Sequence, residues 1–215
     1  MHKEEIFTMA LKFRQNIKMT RALVQKQIQK SFHRSVFGVA WHLVIPTFQL
    51  IIFFGLYGAI NNEFDLIATI IGLTIWQLFS NSIFPSLQQV IGSKGLITNV
   101  KVPFHLIPAS SVVMSVIFVM LFLTSATCFV FYYQIDLQSG LLASALITFI
   151  FLAFVYGVSI IVSIGNVFFR DVGMLWNSFS FLIFLTAPIL YPEKILPEPL
   201  SRLSSYNPIS IFINS

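Results

Sequence analysis

The sequence predicts an all-α, polytopic helical membrane protein with about five transmembrane helices and an amphipathic N-terminal helix lying in the membrane interface. Three observations carry this. Of the 215 residues 56% are apolar and only 10% are charged, too few charges to cover a soluble domain of that length. The apolar residues gather in runs long enough to cross the hydrocarbon, which takes about 20 residues as a helix. The bases fall on alternate connections between those runs rather than on all of them.

The chain divides into a cytoplasmic basic and amphipathic segment over 1–38, a transmembrane domain over 39–190, and a Pro-rich external or re-entrant segment over 191–215. Lys3, Lys12, Arg14, Lys18, Arg21, Lys26, Lys30 and Arg34 all precede the first apolar run. Beside a span, such an arm marks the cytoplasmic side and meets anionic lipid heads, so no nucleic-acid partner is inferred. Residues 1–20 are polar with scattered apolar positions. From Thr20 to Phe37 the pattern turns amphipathic: Val24, Ile28, Phe32 and Val36 share one helical stripe, and Lys26, Lys30 and Arg34 the opposite one. That reads as an interfacial helix, or as a helix packed on a partner protein, and the two are compatible. No signal peptide is visible, because the first strongly apolar stretch starts near Val39 and is too long and too late for one.

The first span runs from about Val39 to Ile60, with Trp41 and Tyr57 at its two ends and Pro46 as a kink. The turn Asn61-Asn62-Glu63 carries an acid and no base, so it is external. The second span covers about Leu66 to Ile91, and its Gln77, Ser80, Asn81 and Gln88 fall in one narrow arc. Polar side chains in hydrocarbon must face protein or water, so this arc faces other helices or a pathway. Residues 92–103 form a cytoplasmic loop with Lys94 and Lys101. The third apolar run, Phe104 to Tyr133, exceeds the bilayer thickness and must tilt or break, with Pro108 a natural break. The loop holding Asp136 is external. The fourth span is about Leu141 to Phe169, with Thr148, Tyr156, Ser159, Ser163 and Asn166 on one face. Arg170-Asp171 turns the chain into the fifth span, about Val172 to Leu190. The remainder is broken by Pro192, Pro197, Pro199 and Pro208; it is too interrupted to span but apolar enough to dip into the interface. On this path the inside receives the bases before Val39 plus Lys94, Lys101 and Arg170, and the outside only Lys194 and Arg202, which places the N-terminus in the cytoplasm.

Several function classes lose their chemical basis. No Asp, Glu, Lys or Arg lies in mid-span, where ion-coupled transporters place such groups. There is no Walker-type glycine loop, so the chain binds no ATP by that route. No Ser-His-Asp set or His pair for a metal is evident, and Cys128, the single cysteine, sits in an apolar run as a small buried side chain. What remains is a helical bundle with polar inner stripes: a subunit of an ATP-driven permease, a channel, or a non-transporting scaffold.

Several segments in order narrow that choice. Arg34 to Trp41 with Pro46, Trp76 with Phe79 to Ser82, Leu96-Ile97 through Lys101 and Pro103 to Pro108, Asn166 to Val172, and Pro188 to Pro192 with Leu196-Pro197 and Asn207-Pro208 together resemble the permease subunit of ABC-2 type transporters, in particular the polysaccharide, O-antigen and teichoic acid exporters. Permeases for drugs or lipids in the same superfamily share the topology. The family continues into a sixth span, which this chain lacks after Ser215, so it reads as a fragment or truncated product; His105 stands where a charged residue is common.

The resemblance implies two permease chains paired with two ABC ATPase subunits in the inner (cytoplasmic) membrane. ATP is used by the partner, and no cofactor is bound by this chain. It implies that the N-terminal helix and the loop around Lys94 and Lys101 meet the ATPase, that Arg170 and Asp171 lie at the cytoplasmic entrance, and that a lipid-linked glycan moves between the permease chains. Sugars stack on aromatic rings and bond polar groups. Trp41, Phe48 and Tyr57 on the first span, Tyr191 beyond the fifth, and Gln77, Asn81 and Gln88 are therefore the expected substrate-pathway residues.

Overall fold

A computed structural model describes residues 2–32, 37–60, 66–132, 141–189 and 197–213, and all regular structure among them is helical. The elements are α1 (His2–Phe32), α2 (Trp41–Ile60), α3 (Leu66–Gly92), α4 (Lys94–Asn99), α5 (Leu106–Tyr132), α6 (Leu141–Phe168), α7 (Asp171–Thr186), α8 (Glu198–Tyr206) and α9 (Pro208–Ile213), with a single 3-10 turn, Gly38–Ala40, ahead of α2. Over Ile67–Gly92, Leu106–Tyr132 and Leu146–Phe168 the helices are long and apolar enough to cross a membrane; Trp41–Gly55 and Asp171–Thr186 are shorter apolar helices.

Two proline effects set helix ends. Pro108 is the third residue of α5, where its missing amide costs nothing because first-turn amides have no helical partner; the helix begins there instead of breaking, and runs about 40 Å at 1.5 Å per residue. The fifth apolar helix stops short of the expected Leu190. Ala187 is extended (φ −78°, ψ 137°) ahead of Pro188, as the proline ring demands of its predecessor, and α7 is left at 16 residues, about 24 Å.

Helix α3 is the hub. It packs against α2, α5, α6, α7 and α9. Its Leu73, Phe79 and Ile83 meet Leu50 of α2, Phe122 of α5, Phe151 and Val155 of α6 and Ile209 of α9 in one buried cluster. Small hydroxyl residues line the α3–α5 and α3–α6 seams. Ser82 and Ser115 are 2.6 Å apart, and Ser163 donates to Ser86 across 3.2 Å. Small residues let membrane helices approach closely, and their hydroxyls bond across the seam.

Helix α1 starts far earlier than the amphipathic stretch predicts. In its C-terminal half, Leu23 packs with Val90, Val102, Leu106 and Ile107, while Val24 and Ile28 pack with Met114 and Phe118. The apolar stripe that predicts an interfacial helix is thus partly covered by the bundle itself. In the N-terminal half Phe7, Phe13 and Ile17 remain exposed.

Of the Pro-rich segment, α8 is mostly exposed, while α9 inserts Ile209 and Phe212 against α3 and α6. Asn207 joins the ends: its Nδ2 donates to the Ile183 carbonyl at 2.7 Å and to Thr186 Oγ1 at 2.9 Å, and its Oδ1 accepts from the Ile209 amide at 2.9 Å. One side chain thereby satisfies an opening amide of α9 and adds a second donor to the Ile183 carbonyl, which already accepts from the Ala187 amide at 3.1 Å.

Candidate functional site

Two sites are built from the residues named by sequence: a platform on the predicted cytoplasmic side, and a polar crevice above it.

The platform joins α1 and α4. Six residues are too few for a stable isolated helix. What holds α4 is packing: Leu96 and Ile97, with Phe104 after it, lie in the same apolar cluster as Met19 and Leu23 of α1. The chain then reverses through Lys101, whose φ of 54° is left-handed, and the Val102 amide donates back to the Leu96 carbonyl at 3.3 Å. A non-glycine residue in that conformation costs about 1–2 kcal/mol. Lys101 is exposed. Lys94 opens α4, and its side chain lies outside the described ones. Arg170 and Asp171 are both exposed at the α6–α7 turn. Neighbours in a helix diverge, so the two do not face each other; Asp171 sits in the first turn of α7, where the helix dipole favours an acid.

The turn itself is held by Asn166. Its Nδ2 donates to the Leu87 carbonyl of α3 at 3.3 Å, and its Oδ1 accepts from the Gly173 amide of α7 at 3.1 Å. A Cβ at Gly173 would stand 3.3 Å from that Oδ1. One buried amide therefore ties α3, α6 and α7 together beneath Arg170. The sequence places Asn166 on the polar face of its helix, but nothing in the pattern shows that it caps the next one.

The crevice, about 210 Å³, is lined by Gln27 and Lys30 of α1, His42 of α2, Asn81 and Gln88 of α3, and Phe118 of α5. Gln27 donates to Gln89 at 2.7 Å and to Ser110 at 2.8 Å. Asn81 donates to Gln77 at 2.8 Å, and Gln77 to Gln49 of α2 at 3.2 Å. The His42 ring stacks on Phe118 with centroids 3.4 Å apart. Pro85, in the crevice wall, withdraws the amide that would have bonded the Asn81 carbonyl. The amides among these groups suit uncharged hydroxyls and amides, and Lys30 adds a cation to the lining. They include no acid–base pair, and no group of three or more His, Cys, Asp or Glu that could hold a metal occurs among the described residues.

The expected pathway residues separate. Asn81 and Gln88 reach the crevice, while Gln77 is consumed in helix-to-helix bonding. Trp41 and Phe48 lie on the outward stripe of α2 with Ile45 and Ile52, turned away from those amides within one chain. The side chain of Tyr57 is not among the described ones, and Tyr191 lies outside the described residues. Sequence reasoning missed Gln27, Gln49 and Gln89. Gln49 carried a usable signal: a lone amide in an apolar run needs a partner in a neighbouring helix.

Apolar spans, inward rows of amides and hydroxyls, and an ordered platform beneath them define a multi-pass helical membrane protein of the permease type. The chain belongs to the ABC-2 type transporter family, whose sequence profile matches residues 19–215. It is similar to an O-antigen export system permease protein RfbA of Klebsiella pneumoniae, 28% identical over 96% of this chain and 83% of that protein. A second Klebsiella pneumoniae protein of the same name is 28% identical over 90% of this chain and 76% of its own length. One from Myxococcus xanthus is 23% identical, with coverage of 90% and 76%. Membership makes the chain a transport component.

Proposed function

We propose that this chain is the membrane-spanning permease subunit of an ATP-driven exporter that moves polysaccharide or lipid-linked glycan across the cytoplasmic membrane, with its N-terminus in the cytoplasm. The kinship to O-antigen export permeases over nearly the whole chain carries the reading. The chemistry agrees with it: amide-lined surfaces match hydroxyls, and no mid-span charge is present to select an ion.

The division of labour follows from what the chain holds. It has no phosphate-binding loop, so a separate ABC ATPase supplies the energy and docks on the platform of α1, α4 and the Arg170-Asp171 turn. The bundle interior is filled by Leu50, Leu73, Phe79, Phe122 and Phe151, all nearly inaccessible, so the glycan passes between two copies of the chain. The outward α2 stripe of Trp41 and Phe48 then faces that seam and offers rings for sugar stacking.

Surface glycan in a host lacking its own permease gene tests this. The chain is supplied with either an active ATPase subunit or one unable to hydrolyse ATP. Display that requires the active ATPase is the expected result. Equal display with the inactive ATPase would overturn the proposal, and ATP-dependent export of a drug or phospholipid in place of glycan would transfer the chain to another substrate class.

A further inference from the structure

We propose that the groove between the middle of α1 and the start of α5 seats one anionic glycerophospholipid of the cytoplasmic leaflet, its phosphate on Arg14, Lys18 and Arg21 and one acyl chain over Phe13, Ile17 and Val113. The groove measures about 650 Å³, within the usual size of small-molecule sites. Its floor is apolar: Val24 and Leu106 are buried beneath it, and Val113 forms the α5 wall. The α1 wall is the row Phe13, Ile17, Val24, spaced to lie on one helical face. Phe13 is 67% exposed and Ile17 52%, so the bundle covers Val24 and leaves the other two residues of the row uncovered.

The cations follow the same spacing one position along. Arg14, Lys18 and Arg21 stand at i, i+4 and i+7, on the rim of the apolar row. All three are exposed, and among the described residues none of them has an ion-pair partner. No Asp or Glu occurs between Ile6 and Asn62 to compete for them. Of the three cations Arg21 lines the groove itself, with Asn16, Thr20 and Gln25 as its polar edge, and Arg14 and Lys18 continue the same side of α1 beyond it. A trough with an apolar floor and a basic edge matches an amphiphile with an anionic head. Free phosphate would satisfy only the rim, and a protein helix with an acidic edge would leave the narrow trough unfilled. The lipid sits under the helix that also packs on α4, so its occupancy steadies the platform.

The site depends on the reading above only for which leaflet it faces, and its test measures lipid rather than export. The full chain is reconstituted in vesicles of equal phosphatidylglycerol and phosphatidylcholine, extracted in mild detergent, and its retained lipid identified by native mass spectrometry. Wild type retains phosphatidylglycerol preferentially. The triple change Arg14→Gln, Lys18→Gln, Arg21→Gln lowers that preference by at least about tenfold, since each base near an anionic head adds to binding. The pair Lys26→Gln, Lys30→Gln, on the far face of α1, leaves it intact, as does the charge-keeping pair Arg14→Lys, Arg21→Lys. Val113→Trp fills the trough, keeps every charge and abolishes retention. Equal loss in both glutamine sets would show diffuse surface charge and overturn the site. So would full retention in Val113→Trp, or no preferential retention by wild type, the outcome if the groove receives a protein segment.

Discussion

Replacing Asn166 with Ala removes the one side chain that ties three helices beneath the α6–α7 turn. Two hydrogen bonds go. The bond to the Leu87 carbonyl is long, at 3.3 Å, and that carbonyl keeps its own helical amide; bonds of this kind between membrane helices average about 0.6 kcal/mol. The bond from the Gly173 amide matters more. That amide lies in the first turn of α7, so it has no helical acceptor to fall back on, and the loss resembles loss of a helix cap, about 1 kcal/mol. The change should therefore cost about 1.5–2 kcal/mol and loosen the start of α7 locally. Reversible unfolding in mixed micelles, followed by the fluorescence of Trp176 where it meets Phe79, measures the first; amide exchange at Val172 and Gly173 measures the second. A loss below about 0.5 kcal/mol, the usual range of a neutral surface change, with unchanged exchange would refute the reasoning.

Three further outcomes follow from single positions. Lys101→Gly relieves a left-handed non-glycine residue and should raise stability by up to about 1 kcal/mol while lowering ATP-driven export, whereas Lys101→Gln should lower export without the gain; unfolding midpoints and surface glycan separate the two effects. Gly72→Ala places a methyl 3.1 Å from the Ile189 side chain and 3.3 Å from its Cα, so the turn after α7 must shift, and a destabilisation of about 1–3 kcal/mol is expected in micelle unfolding. Trp41→Leu and Phe48→Leu remove rings that are 43% and 59% exposed, so folding should hold while surface glycan falls at matched protein levels; normal display from both would remove the outward stripe from the pathway.

The long helices were legible because a span is written in composition. The structure begins α3 at the expected Leu66 and ends it within one residue of Ile91, and it ends α6 one residue short of Phe169. What the sequence hid depends on neighbours. Helix α4 lies in a stretch that reads as a loop and is held by Leu23 and Met19 from far along the chain. The first half of α1 alternates bases with single apolar residues, a pattern legible only once α5 supplies the other wall of the groove. Periodicity gathered Gln77, Asn81 and Gln88 on one arc, but their fates diverge because Gln49 opposes Gln77, whereas Gln88 lines the crevice. The aromatic candidates were chosen by residue type, which carries no direction, and α2 turns Trp41 and Phe48 outward.

The central claim is that energy reaches this chain from a separate ATPase and is spent on moving a glycan. Proteoliposomes holding the purified chain, with and without an ABC ATPase subunit, test it most directly by the protection of an added lipid-linked glycan from an external glycosidase. The account predicts protection that needs both subunits and ATP, and none from the chain alone under a proton or sodium gradient. Protection by the chain alone under either gradient would contradict it.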